Sequence, residues 1–183
     1  MKKWTILFTI VLLGLFVARA GAVDTYWQGG TGDWSTGANW DSGEPDSDDG
    51  AYINNGGTAQ ITQVGEVCDS LRLGYDAGQT GTVEMTAGSL TLNAHEYFDG
   101  RSIGDSGTGN FTQTGGTHTI NGFLFVGYYE TGDGSYNLSD GQLSTEREHI
   151  GEAGKGTFTQ NGGTHTTGYL YVRGPYSDGV SYE

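Results

Sequence analysis

The chain has 183 residues, with 34 glycines, two prolines, one cysteine and a net charge of −14. That length suits one ordinary domain or a short solenoid. So acidic a chain is repelled by nucleic acid and by anionic membranes, and a single cysteine excludes a disulfide framework.

Residues 1–22 read as a secretory signal peptide. Lys2 and Lys3 form a basic start, Trp4 to Ala18 is almost unbroken apolar sequence, and Ala18-Arg19-Ala20 and Ala20-Gly21-Ala22 are overlapping small-x-small cleavage sites. The run is short for a membrane span, so an uncleaved N-terminal anchor is the lesser alternative. Cleavage removes Lys2, Lys3 and Arg19, leaving five Lys and Arg against 22 Asp and Glu, a net charge of −17. This suits an extracellular, solvated protein.

Residues 23–70 read as an N-terminal cap with the first strands. Trp27, Trp34 and Trp40 lie within 14 residues, followed by the acidic turn Pro45-Asp46-Ser47-Asp48-Asp49-Gly50. A stack of strands exposes an apolar cross-section and unpaired edges at its end, and a tryptophan-rich segment can cover both. The functional alternative is a sugar-binding platform. Asp46, Asp48 and Asp49 are weak calcium candidates, because their spacing matches no EF-hand loop. Cys68 sits in the strand-like run Val67–Leu71 and reads as a small buried side chain.

Residues 71–183 are repeats. Units start at an apolar-Gly step, Leu73-Gly74, Ile103-Gly104, Val126-Gly127 and Ile150-Gly151, spaced by 30, 23 and 24 residues. Each continues through a turn, a strand, a glycine turn, a second strand and a closing strand. A unit this short buries its apolar face only by stacking on its neighbours. The pattern predicts a parallel β-solenoid with three short strands per turn of about 23–24 residues. A β-sandwich is the competitor.

Ile103–Thr119 and Ile150–Thr166 agree at 12 of 17 positions and share Phe-Thr-Gln-x-Gly-Gly-Thr-His-Thr. Gln113 and His118, like Gln160 and His165, occupy positions where neighbouring units carry Met85 and Leu90, or Leu138 and Leu143. The true period is therefore two turns. Period-2 alternation points these residues inward, where a polar group needs a partner. The expectation is that Gln and His hydrogen-bond across the interior or to turn backbone. A shared metal does not fit, since two turns separate the histidines by roughly 10 Å. On the closing strands, Leu124, Val126, Leu170 and Val172 should point inward. Phe123, Phe125, Tyr169 and Tyr171 should form an outer aromatic ladder, packing on one another or binding a partner.

The Trp-x-Gly-Gly-x-Gly-x-Trp…Ala-Asn-Trp opening, the Pro-Asp-Ser-Asp-Asp-Gly turn, Ile-Asn-Asn-Gly-Gly-Thr-Ala and the Gly-x-Gly-x-Phe-Thr-Gln-x-Gly-Gly units together resemble bacterial autotransporter-associated β-strand repeat proteins, including those with PEP-type sorting tails. The resemblance implies a right-handed parallel β-helix, exported to the cell surface. It also implies a chain continuing past Glu183 to a C-terminal anchor, which would be its only membrane attachment.

Function follows less directly. A non-catalytic structural or adhesive scaffold is favoured, because the repeat itself explains nearly every regular position. Its partners would be glycans, other surface proteins or a second solenoid end, and it needs no cofactor beyond the calcium option. The alternative is a polysaccharide-binding or polysaccharide-degrading β-helix. Asp99, Arg101, Asp105, Glu146, Glu148 and Glu152 are its candidate residues, although these read better as solvated turn charges.

Overall fold

The computed structural model describes residues 21–93 and 101–174. The body of the signal-peptide reading, residues 1–20, and the candidate Asp99 lie outside the described residues. The chain is all-β, in this order: β1 (Asp24–Tyr26), β2 (Thr31–Asp33), β3 (Gly50–Ile53), β4 (Thr58–Ile61), β5 (Glu66–Cys68), β6 (Ser70–Leu73) and β7 (Thr80–Met85). Then come β8 (Ser89–Leu92), β9 (Arg101–Ile103), β10 (Thr108–Val126), β11 (Asp133–Ile150), β12 (Lys155–Gln160) and β13 (Thr164–Val172).

Every pairing between these strands is parallel, which excludes the sandwich. The chain winds as a solenoid of about six turns. Its strands fall into three stacked sheets. The opening sheet holds β2, β4, β7, the first parts of β10 and β11, and β12. The middle sheet holds β5, β8, the centres of β10 and β11, and the start of β13. The closing sheet holds β1, β3, β6, β9 and the ends of β10, β11 and β13. Leu73 pairs with Ile103, Ile103 with Val126, Val126 with Ile150, and Ile150 with Val172. The apolar-Gly steps therefore mark one position of the coil, as the spacing predicted.

Stacking begins at once, because Asp24 of β1 already pairs with Gly50 of β3. The tryptophan segment is thus part of the first turn, and regular pairing starts well before residue 71. Trp27, Trp34 and Trp40 are all buried and meet edge to face, with ring centroids 5.0 and 4.8 Å apart. Trp40 Nε1 donates to Trp34 O at 2.8 Å. With no open ring face, the cluster serves as core and cannot be a sugar platform.

The corners explain the glycines. Gly104, Gly127 and Gly151 leave the closing strand at φ of 72°, 75° and 72°, in the left-handed region that disfavours side chains. In the opening sheet, Gly81, Gly109, Gly134 and Gly156 stack in register. A Cβ on Gly134 would lie 1.9 Å from Ile103 O, and one on Gly156 2.1 Å from Val126 O. Only hydrogen fits where one turn's opening strand crosses the end of a closing strand. Between the corners, alternate residues fill one core running from Ile53 and Ile61 through Met85 and Leu90 to Leu138 and Ile150. Cys68 lies in that core, and burial pushes its thiol pKa up, as suits an inert side chain.

Candidate functional site

The first Gln–His pair lies in the core, but the second does not: Gln160 is exposed and His165 half-buried, because they stand in the last described turn. Gln113 pairs in register with Met85 below and Leu138 above, and His118 with Leu90 and Leu143. Gln113 is fully buried and His118 nearly so. Gln113 Nε2 donates to Gly116 O at 3.2 Å and Gln142 O at 3.0 Å, the turn-backbone partners that were anticipated.

A third residue joins the pair. Tyr136, from the next turn, donates its hydroxyl to Gln113 Oε1 at 2.6 Å and lies 3.0 Å from His118 Nδ1. Since the phenol's one proton goes to Gln113, His118 must donate from Nδ1 to the phenol oxygen. That assigns a neutral Nδ1–H histidine whose Nε2 lone pair has no partner among the described residues. Burial lowers the His118 pKa to about 3 and raises that of Tyr136 well above the usual phenol value, so both stay uncharged. Phe111 packs against both rings, with centroids 4.6 Å from His118 and 4.7 Å from Tyr136.

Two turns on, the copy is built differently. Gln160 Nε2 again donates to the turn, at Gly163 O, 3.3 Å away. His165 lies tilted against Phe158, with centroids 4.7 Å apart, but its Nε2 meets Glu148 Oε1 at 2.7 Å. Thr145 Oγ1 donates to the same oxygen at 2.8 Å. Glu148 is fully buried, in register between Leu124 and Leu170, and its Oε2 has no hydrogen-bond partner among the described residues.

This corrects the reading of the acidic candidates as solvated turn charges. Glu148 points into the solenoid, held by Thr145 and His165. Arg101 is buried in register with Leu71, also an inward position. Asp105 is buried in a turn, accepts from Ser102 Oγ at 2.6 Å, and has its pKa raised by burial. Glu146 is exposed, and Glu152 is tied to His149 and Arg173 at 2.6 Å each. The five described candidates are divided among the interior, a buried turn and the outer surface, and do not converge on one cleft. A further buried acid escaped the sequence reading. Glu66 occupies the inward column of Leu90 and His118, and burial together with the neighbouring Glu44 carboxyl pushes its pKa up to about 8.

The calcium candidates serve the turn that holds them. Asp49 Oδ1 accepts Val23 N–H at 2.8 Å and its Oδ2 accepts Asp46 N–H at 3.1 Å, while Asp46 Oδ1 accepts Asp48 N–H at 3.0 Å. Among the described residues, no three metal-binding side chains gather.

The outer ladder is longer than expected. One column of the closing sheet carries Tyr26, Tyr52, Arg72, Ser102, Phe125, His149 and Tyr171 in register. Beside it stand Phe123, Arg147 and Tyr169. Tyr26 stacks on Tyr52 at 4.7 Å, and His149 lies 5.0 Å from Phe125 and 4.7 Å from Tyr171. Within the stack Phe123 and Phe125 are buried, whereas Tyr169 and Tyr171 are 59% and 41% exposed. Leu170 and Val172, expected to point inward, are just as open at 53% and 55%, because β13 belongs to the last described turn and no described turn covers it. Sequence reasoning missed Tyr52, Arg72 and His149, yet each directly precedes the apolar residue that closes its turn.

Compared with protein-family models, curated proteins and solved structures, the chain matches none.

Proposed function

We propose that the protein is an exported, surface-associated solenoid of the autotransporter-passenger kind, acting as a structural and adhesive scaffold without catalysis. One observation carries this reading: the polar side chains set into the repeat are bonded to one another in the interior, and the described acidic candidates are scattered rather than gathered in one cleft. Tyr136 bonds to Gln113 and His118, and His165 to Glu148, tying successive turns together, while Thr145 holds Glu148 within its own turn. A group spent inside a core cannot also meet a substrate. The leader sequence and the −17 charge of the chain without it support an extracellular setting.

Glycan binding is the second reading, suggested by the aromatic ladder on the outer face of the closing sheet, Phe123, Phe125, Tyr169 and Tyr171. Such rings can stack on sugars and are the natural contact for an adhesive surface. A glycan array and a polysaccharide-degradation screen on the purified protein test both readings. The expected result is binding without turnover, lost in a Tyr169→Ala/Tyr171→Ala variant. Released oligosaccharide would overturn the non-catalytic reading.

A further inference from the structure

The threonines of the Thr-His-Thr stretches have no part in the interior network. His118 points inward, so period-2 alternation turns Thr117 and Thr119 to the outer face of the middle sheet, and Thr164 and Thr166 follow two turns on. Register carries the pattern through four turns. Thr91, Thr119, Ser144 and Thr166 stand in one column, which Val67 begins. Ser89, Thr117, Gln142 and Thr164 stand in the column beside it. All eight are half-buried or exposed, and Thr119 and Ser144 lie within the stack, with a described turn on either side.

Charge is excluded from both columns. The outward columns of the opening sheet hold Asp33, Glu84, Asp133 and Lys155, so the chain does place charges on outward strand positions. Aromatic rings are excluded too, although the closing sheet carries an outer ladder of them. Thr25, Thr131 and Thr145 commit their hydroxyls to protein oxygens. Among the described residues, the hydroxyls of Thr91, Thr119, Ser144 and Thr166 bond to no protein atom and are left to face solvent.

Such a face is a stiff lattice of hydroxyls. Threonine is β-branched and has few side-chain rotamers, which fixes both its hydroxyl and its methyl. Neighbouring turns set these groups about 4.8 Å apart, and positions two residues apart on a strand set them about 6.6 Å apart. Rows of water oxygens at the surface of ice repeat at closely similar spacings in two directions. With no ring to stack on a sugar and no charge to hold an ion, the neutral face complements an uncharged lattice of water.

We infer that the outer face of the middle sheet binds ice, its two hydroxyl columns ordering water in register with the crystal. This function is separate from the glycan reading, which concerns the closing sheet.

The test grows ice slowly on a cold finger from a dilute solution of the purified protein. Protein is then measured in the ice and in the remaining liquid, with serum albumin as the protein that growing ice rejects. The face predicts enrichment in the ice. Thr119→Lys and Ser144→Lys each place a long charged chain in the middle of the lattice and should return the protein to the liquid. Ser144 is exposed, so its variant guards against a folding artefact at half-buried Thr119. Thr112→Lys, the same change beside Glu84 on the opening sheet, should leave the enrichment intact. Exclusion of the wild type from ice, enrichment of Ser144→Lys, or equal loss in Thr112→Lys overturns the inference. Retention on crystalline cellulose or chitin, lost in Ser144→Lys and without entry into ice, also overturns it and gives the face to a neutral polysaccharide instead.

Discussion

Tyr136→Phe removes one oxygen and probes the interior network directly. The phenol oxygen donates to Gln113 Oε1 at 2.6 Å and accepts from His118 Nδ1 at 3.0 Å, and all three residues are buried. Its loss leaves a buried acceptor and a buried N–H unpaired. His118 cannot escape by moving its proton, because Nε2 has no partner either. Each unpaired buried group costs about 1–3 kcal/mol, so the expected loss is about 2–5 kcal/mol. Against a typical stability of roughly 5–15 kcal/mol that is a large fraction. Urea unfolding followed by far-UV circular dichroism measures the loss. Amide exchange in β10 and β11 locates it, which matters because a stack of repeats can open in parts. The companion variant Gln113→Met/His118→Leu/Tyr136→Phe gives this turn the Met and Leu of the preceding one and should recover most of the loss. A Tyr136→Phe effect below about 0.5 kcal/mol, or a triple variant no more stable than the single, would refute the reasoning.

Three more outcomes are expected. With His118 held neutral down to about pH 3, only the unfolded chain takes up its proton as pH falls from about 6.5. Stability should therefore drop towards acid by up to about 1.4 kcal/mol per pH unit, and comparison of wild type with His118→Leu by urea titration at pH 4, 5 and 6 should show that slope disappear. Gly134→Ala, whose Cβ would meet Ile103 O, should cost about 3 kcal/mol or more in thermal or urea unfolding, whereas Gly30→Ala, with open space around it, should be near neutral. Glu148→Leu/His165→Leu, which replaces a buried pair with the residue type of its register neighbours, should match or exceed wild-type stability in the same assays, while His165→Leu alone, leaving the Glu148 carboxylate without its histidine, should be clearly less stable.

The coil was legible because its signals are local and repeated. An apolar residue before glycine fixes each turn's end, and period-2 alternation separates inside from outside, so Met85, Gln113 and Leu138 could be stacked from the sequence alone. Period-2 alternation puts Tyr136 on the same face as Leu138, but its polar role is not legible in its own turn, because its partners Gln113 and His118 belong to the turn before it. Glu148 was misplaced for a sound general reason: a carboxylate is costly to bury, and only the structure shows Thr145 and His165 arriving to hold it. The signal was nevertheless present. Setting Arg147-Glu148-His149-Ile150 beneath Tyr169-Leu170-Tyr171-Val172 puts Glu148 in a leucine column. The exposure difference between Phe125 and Tyr171 has no such local trace, because it depends on what covers each turn.

The two-turn period also bears on how such a stack avoids folding out of step. Turns of nearly equal length could be skipped, with a later one annealing where its predecessor belongs. Here turns carrying Gln and His alternate with turns carrying Met or Leu at the same two positions, so omitting one would press Gln113 and His118 directly against Gln160 and His165 and exclude the tyrosine that closes the first pair. Several buried groups would then lack partners at once, a penalty that an array of identical apolar turns would never impose. The alternation works as a parity check, in which each turn accepts only a neighbour of the opposite kind.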